Sequence, residues 1–583
     1  MRLGSRSLVV TLFCACTATT EEASRIDGDP EAPVSPVRLR RPPKPVDPYL
    51  SATATAVRSL PGSAAAPPPL APWIASARPQ PTDPFSTAVA SLRFTDVTDE
   101  AGLGMDGAHF GASWADLDGD QDPDLVVPNA FSSALQVYEN EGGGHFSGVA
   151  TLPVGTVPFA TAVGDYDNDG VPDIVTSGAG RTVLFKGHPG GSWSVAYSWD
   201  YLYAASSMIG FYDMDQDGWL DIYVALDPVG PPPSTPDYPE HQAWCNDPCN
   251  APAVAPPSSA ARNRVYLQTP PLGFVDVTTK SPLADPFWSL AFAFAHWLPG
   301  DEVALFVGND STPNGFWKIP LTPNAQSLIC PAGLTVCIGT MGVLPVDLDR
   351  DGLLDILATN SSDHVAYLNL GDGTFTEGSD ALGFTEASVG LVGWGEAAGD
   401  FDNDGDLDLG VANAPPPGFG ESAPDVPQHP LFLMYDGGRY HSLNSSNGFP
   451  WFSAVGDTYG AHAADYDKDG DVDLLFVEPL GRLWLFRNDT QSAGHWLKLG
   501  FRGTSSNRSA IGTLVRVHVG AQILVQEWGG VSGAAGQSEP VLHFGLGEAS
   551  HVDRIDILFP SGKTLVLGST PAGQQLTLVE PKP

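Results

Sequence analysis

The feature that most constrains this chain is a nine-residue aspartate loop that recurs six times. Its clearest copy is Asp165-Tyr166-Asp167-Asn168-Asp169-Gly170-Val171-Pro172-Asp173. Carboxylates stand at positions 1, 3, 5 and 9, and Gly170 at position 6 permits a sharp bend. The other copies supply Asp116, Asp118, Asp120 and Asp124; Asp213, Asp215, Asp217 and Asp221; Asp347, Asp349, Asp351 and Asp355; Asp400, Asp402, Asp404 and Asp408; and Asp465, Asp467, Asp469 and Asp473. Four carboxylates in one tight loop repel each other unless a cation lies among them. A hard divalent ion with six to eight oxygen ligands at roughly 2.3–2.6 Å suits this cage, with the carbonyl at position 7 as a backbone ligand. Magnesium keeps its waters, so the all-oxygen, carboxylate-rich set favours Ca²⁺ at about six sites.

An EF-hand would place a bidentate Glu at position 12, between two helices. Here position 12 is Val127, Thr176, Val224, Ala358, Val411 and Phe476, inside β-type apolar runs. The loop therefore joins two strands of a hairpin. A single Asp-Gly loop is an ordinary surface turn; six with one spacing are a repeat. The 134-residue gap between the loops at Asp213 and Asp347 holds a decayed seventh copy. There Leu305-Phe306-Val307-Gly308-Asn309 matches the outgoing strand, and His296, Leu298, Gly300 and Ala304 stand where aspartates should. In the first loop, Gln121 replaces the usual Gly and leaves the bend in question. Seven units of about 58 residues, each with four short strands, predict an all-β seven-bladed propeller followed by a small β-rich C-terminal domain.

The organisation along the chain follows. Residues 1–16 read as a bacterial-type export signal, with Arg2 and Arg6 before an apolar run. Cys16 is either the acylated residue of a lipoprotein signal or lies near a simple cleavage site. Residues 17–91, rich in Pro, Ala and Ser, form a tether that cannot bury enough apolar surface to fold. The propeller spans residues 92–490 and the last domain 491–583. Cys245 with Cys249, the first pair inside a Pro-rich insertion, and Cys330 with Cys337 read as two local disulfides in an exported protein, with zinc as the alternative. The net charge of −40 argues against nucleic acid or an anionic membrane as partner. A membrane contact would come only through a lipid anchor on Cys16. The six loops, with Asp122, Asp406 and Asp471, hold 27 of the 68 acidic residues, and six Ca²⁺ would bring the net charge to about −28.

On these loops the chain resembles FG-GAP and VCBS repeats, the blade units of integrin α-chain propellers. The C-terminal part resembles the ASPIC/UnbV domain. It does so through His495-Trp496-Leu497, Ser506-Asn507-Arg508, Ala510-Ile511-Gly512, Gln537-Ser538, residues 542–547 (LHFGLG) and Phe559-Pro560-Ser561-Gly562. The combination is similar to the cartilage acidic protein family. The resemblance implies calcium that stiffens the blades, an extracellular binding role and no established reaction. Arg508, Asn507 and Gln537 are read either as a small polar site or as loop braces.

For enzyme chemistry, no nucleophile elbow stands out, and the 13 His are scattered. The runner-up function is a carbohydrate-active enzyme, a calcium-bearing propeller polysaccharide lyase. It would need a basic cluster beside the ion, which the 28 Lys and Arg do not show. Trp114, Trp219, Trp394, Trp451 and Trp484 read as blade packing before they read as a sugar surface. The expectation is an exported, non-enzymatic surface or matrix adhesion module whose partner is an unknown surface protein or glycan.

Overall fold

The computed structural model describes residues 92–582 apart from 105–106, 229–261, Pro286, Ser311, 321–326, 337–338, Ser362, 416–427, 444–454, Leu480, 492–493 and Ser532. The export signal with Cys16, the tether, Cys245, Cys249, Cys337 and Trp451 lie outside the described residues. The described chain is almost entirely β, with two short helical turns at Ser379–Leu382 and Phe384–Ser388.

Seven blades form a propeller. Blade 1 runs Ser113–Ala115, Asp124–Asn129, Ala134–Asn140 and Phe146–Pro153, each antiparallel to the next. Blades 2 and 3 share one continuous sheet. Asp173–His188 doubles back at Gly180, whose φ is +74°, so that the Asp173 carboxylate accepts the Gly187 N–H. Ser192–Tyr212 is the outer strand of blade 2 and then the inner strand of blade 3. Blade 4 comprises Ser289–Leu298, Glu302–Asn309 and Gly315–Lys318. Blade 5 begins at Thr340–Val346 and blade 6 at Gly393–Gly399. Blade 7 takes Gly460–Ala464, Asp473–Val477 and Leu483–Asn488, and is completed by Phe94–Asp96 from the other end of the chain. That exchange closes the ring and leaves no open sheet edge between first and last blades.

The inner strands are packed on both faces, so they read as small apolar runs instead of alternating patterns. Pro158–Gly164 and Gly460–Ala464 are buried at every position. Between blades, aromatic side chains fill the wedge. Phe94 of blade 7 meets Phe401 and Phe432 of blade 6 edge-on at 5.7 and 5.6 Å.

The C-terminal domain is two small sheets. One orders Leu542–Gly547, His495–Arg502 and Gln574–Val579; the other orders Gln522–Trp528, Thr513–Val519, Arg554–Leu558 and Thr564–Leu567. Their apolar faces, including Leu497, Val515, Phe544 and Ile557, join the core of blades 3 and 4 around Tyr212, Phe292 and Phe294. The domain is therefore a cap seated on the propeller.

One segment of the cap enters the propeller axis. Gln537 donates its N–H to Ala112 O and accepts the Trp114 N–H in blade 1, at 2.9 and 3.0 Å. Its side-chain oxygen accepts the Val163 N–H of blade 2 at 3.1 Å. Gly533 pairs with Val343 of blade 5, and a Cβ on it would stand 2.5 Å from Glu396 O in blade 6. Glu539 N–H donates to Ala463 O of blade 7 at 2.9 Å. Only a segment on the axis can touch inner strands of five blades. Its sequence, from Gly529 through Gln537, is nearly all Gly, Ala and Ser because backbone lies against backbone there.

Candidate metal centres and the cap that covers them

Each aspartate loop joins the inner strand of its blade to the next strand, as in the register Ala115↔Asp124 of blade 1. The backbone is held by the aspartates themselves. In blade 2, Asp165 accepts the N–H groups of Asp169 and Gly170 at 3.0 and 2.7 Å. Asp213, Asp347 and Asp400 repeat both bonds from positions 5 and 6. Position 9 ties the loop to the rest of the blade. Asp173 accepts Tyr166 N–H and Gly187 N–H, and Asp124, Asp221, Asp355 and Asp473 make the same pair of bonds.

All six loops turn through two left-handed residues. Position 4 is Gly119, Asn168, Gln216, Arg350, Asn403 and Lys468; position 6 is Gln121, Gly170, Gly218, Gly352, Gly405 and Gly470. Gln121 takes φ +71°, so the first loop has the same bend as the others and carries the strain of a side chain in that region.

The carboxylates converge. Ligand atoms of Asp116, Asp118 and Asp124 lie within 4.8 Å of one another, as do those of Asp165, Asp167 and Asp173. The same holds for Asp213, Asp215 and Asp217, for Asp347, Asp349 and Asp351, and for Asp400, Asp402 and Asp404. In the last loop burial raises the pKa of Asp467 and Asp469, and the charge of Asp465 adds to both. Burial is the larger cause throughout. It pushes Asp116, Asp165 and Asp213 up to about 6, and Asp173 and Asp347 up to about 8, with neighbouring carboxylates adding to it.

The donor set fits a hard cation. Asp167 Oδ1, Asp408 Oδ2 and Asp465 Oδ1 are buried without a hydrogen-bond partner, each in a different loop. In blade 2 the Lys186 ammonium lies on Asp167 and Asp169, at 2.8 Å from the latter, where it supplies positive charge to the same cluster. When bound, Ca²⁺ would be held by the carboxylates of positions 1, 3, 5 and 9 and would offset their mutual repulsion.

Blade 4 shows what happens without them. Leu298 pairs directly with Glu302, so the nine residues from His296 to Ala304 carry strand pairing inward to a tight turn around Gly300. His296 stands at position 1, since Ala295 pairs with Ala304 as Ala115 pairs with Asp124. Its Nδ1 lies 3.0 Å from Glu527 of the cap, and the two side chains are 6% and 2% exposed. Burial opposes a charge on the ring, yet Glu527 leaves its pKa raised.

The cap meets the loops directly. Ser509 Oγ accepts the Asp165 N–H at 2.8 Å, and Arg508 N–H donates to Asn168 Oδ1 at 2.7 Å. Gly547 N–H reaches Asn403 O at 2.9 Å, and His543 Nε2 contacts Gly470 O at 3.0 Å. Lys498 Nζ, 2% exposed, binds Asp465 at 3.0 Å and Glu539 at 3.1 Å. Asn507 turns inward to the Ile511 backbone, while Gln537 fills the axis. Arg508, Asn507 and Gln537 thus brace three different places and do not form one site. Sequence reading missed Lys498, Glu527 and Glu539, whose partners are 33 to 231 residues away. It also missed Glu580, which gathers the N–H groups of Thr504, Ser505 and Ser506 and the hydroxyls of Ser506 and Ser561.

Trp114, Trp394 and Trp484 are packing groups. Trp114 is buried; Trp394 is half-buried, donates to Ala414 O and packs on Tyr459 at 4.2 Å; Trp484 lies under the Arg482 guanidinium. His462, pushed down to about 3 by burial, accepts the Ala112 N–H as a neutral ring.

Comparisons with known proteins match two families. Residues 116–176, 165–224 and 347–411 match the FG-GAP-like repeat family, and residues 503–583 match the ASPIC and UnbV family. Cartilage acidic protein 1 of Mus musculus is 27% identical over 235 residues, which are 38% of this chain and 34% of that protein. The match therefore spans about a third of the relative's length. Among solved structures, the BP39L lectin from Burkholderia pseudomallei aligns with TM-score 0.42 and 11% identity, covering 65% of this chain and 96% of that one. Sqt1 from Saccharomyces cerevisiae aligns with TM-score 0.39 and 10% identity, covering 68% and 98%. The chain carries FG-GAP-like repeats in its propeller and an ASPIC and UnbV domain at its C-terminal end.

Proposed function

We propose that the protein is an exported, calcium-binding propeller that acts as a non-enzymatic adhesion module, with Ca²⁺ as a structural ion in six of its seven blades. The observation that carries this reading is the shared loop conformation: six loops bend through the same two left-handed positions and crowd carboxylates together. The ion would hold each hairpin shut and so order the blade behind it. The buried charged groups beneath the cap support a structural role. Lys498 is committed to Asp465 and Glu539, and His296 to Glu527.

Export is supported by the signal-like residues 1–16 and by the likeness to cartilage acidic protein 1. Among the described residues no helix is long and apolar enough to cross a membrane. Cys16 would be the lipid anchor of a surface-bound form. Two disulfides, Cys245–Cys249 and Cys330–Cys337, suit that compartment.

The partner is a surface protein or a glycan. The test is a glycan array and a pull-down from surface extracts, run with the mature chain in calcium and again in EGTA. Calcium-dependent retention of a specific ligand supports the reading. Steady depolymerisation of an acidic polysaccharide by the purified protein would overturn it in favour of a lyase.

A further inference from the structure

We propose that calcium loading of the aspartate loops latches the C-terminal domain onto the propeller, and that withdrawing calcium loosens it. The proposal rests on the calcium reading above and adds a conformational consequence to it.

The cap's polar contacts fall on the residues that shape the loops. Asn168 and Asn403 are the left-handed fourth residues of their loops, and Gly470 is a left-handed sixth residue. These three receive Arg508, Gly547 and His543 of the cap. Position 1 is used as well: Asp165 donates its N–H to Ser509, and Asp465 holds Lys498. The Asp465 carboxylate shows both tasks on one group. One oxygen faces the Lys498 ammonium, and the other is buried without a partner, free for a cation. The bend that brings the carboxylates around an ion is thus the bend that presents these groups to the cap. Without the ion, like charges at this spacing push the loop apart and displace the cap's acceptors and donors.

Blade 4 supplies the control within the same molecule. Its aspartates are gone, and there the cap brings its own carboxylate, Glu527, to His296. That anchor needs no metal. Calcium withdrawal should therefore open the contacts at blades 2, 6 and 7 and the axial segment held beside them, while blade 4 keeps the cap attached. Coupling of this kind is reciprocal: if calcium favours docking, docking favours calcium.

The experiment is hydrogen exchange on the full chain, in saturating Ca²⁺ and in EGTA, with bound calcium measured in parallel by equilibrium dialysis. On chelation, amides of residues 533–539 together with Arg508 and Gly547 should exchange about tenfold faster, while strand Thr513–Val519 inside the cap stays protected. Gly536→Ala, which crowds the axis without changing any charge, should lower calcium affinity about threefold. If calcium binds and leaves yet residues 533–539 exchange alike in both states, the latch is wrong and the calcium reading stands. If Thr513–Val519 loses protection equally, calcium acts on global folding and the latch is again wrong. Absence of bound calcium under saturation would remove both.

Discussion

Replacing Gly536 by alanine probes the insertion of the cap into the propeller axis. A Cβ at this position would lie 1.9 Å from Ala112 O and 2.6 Å from the His462 ring carbon Cε1. The first neighbour is backbone of an inner strand, so it cannot swing away, and the axial segment must withdraw. Withdrawal breaks the bonds from Gln537 to Ala112, Trp114 and Val163. Each contributes about 1 kcal/mol net, and each inner-strand N–H left buried without an acceptor adds about 1–3 kcal/mol more. Three such bonds and the two orphaned N–H groups of Trp114 and Val163 make the expected loss about 5 kcal/mol or more, a large share of the stability of an ordinary domain. Urea unfolding followed by tryptophan fluorescence reads the loss, and hydrogen exchange at Trp114 and Val163 locates it. Gly568→Ala is the control, because a Cβ there meets nothing within 4 Å. A loss below about 1 kcal/mol for Gly536→Ala, with Trp114 and Val163 still protected, would refute the axial insertion.

Other outcomes follow from the loops and the cap. Gln121→Gly relieves a side chain held at φ +71° and should stabilise the protein by about 1 kcal/mol, measured by denaturant midpoint. Burial opposes the charge of Glu580, yet the Ser505, Ser506 and Thr504 amides and the Ser561 hydroxyl hold its carboxyl down to about 2. Its folded value lies below the unfolded one, so its stabilisation is present above about pH 4 and fades as pH falls toward 2. Glu580→Ala should cost about 2 kcal/mol at pH 7 and little at pH 2.5, read by chemical denaturation at both values. The loop aspartates have the opposite sign. With Asp173 and Asp347 pushed up to about 8 and Asp402 to about 7, chelated protein should be more stable near pH 5 and lose stability as pH rises through 8. Thermal melts in EGTA across that range check this; a melting temperature that rises with pH would contradict it.

The blades and their loops were legible because their chemistry is local. Asp165 through Asp173 bring their carboxylates together through nine residues of chain, and their pattern recurs on a blade-length period. The decayed unit was also legible, since Leu305 to Asn309 keeps its strand pattern after the aspartates are lost. What replaced them was not. Glu527 lies 231 residues from His296, and no spacing rule links the two. In isolation Gly529 and Gly530 signal no more than a turn. The reason for the long small-residue run is steric contact with inner strands that only the closed ring brings together. Gln121 left the first loop in question because a non-Gly residue disfavours φ above zero. The structure resolves it: Gln121 takes φ +71°, and the bend is held by the Gly119 and Gln121 N–H groups, which both donate to the Asp116 carboxylate.

The central claim is tested most directly by calcium titration of the full chain after exhaustive chelation, with heat and bound metal measured together. About six Ca²⁺ per chain should bind, accompanied by a marked rise in melting temperature. A chain that takes up no calcium at millimolar concentration, or melts at the same temperature with and without it, would contradict the claim.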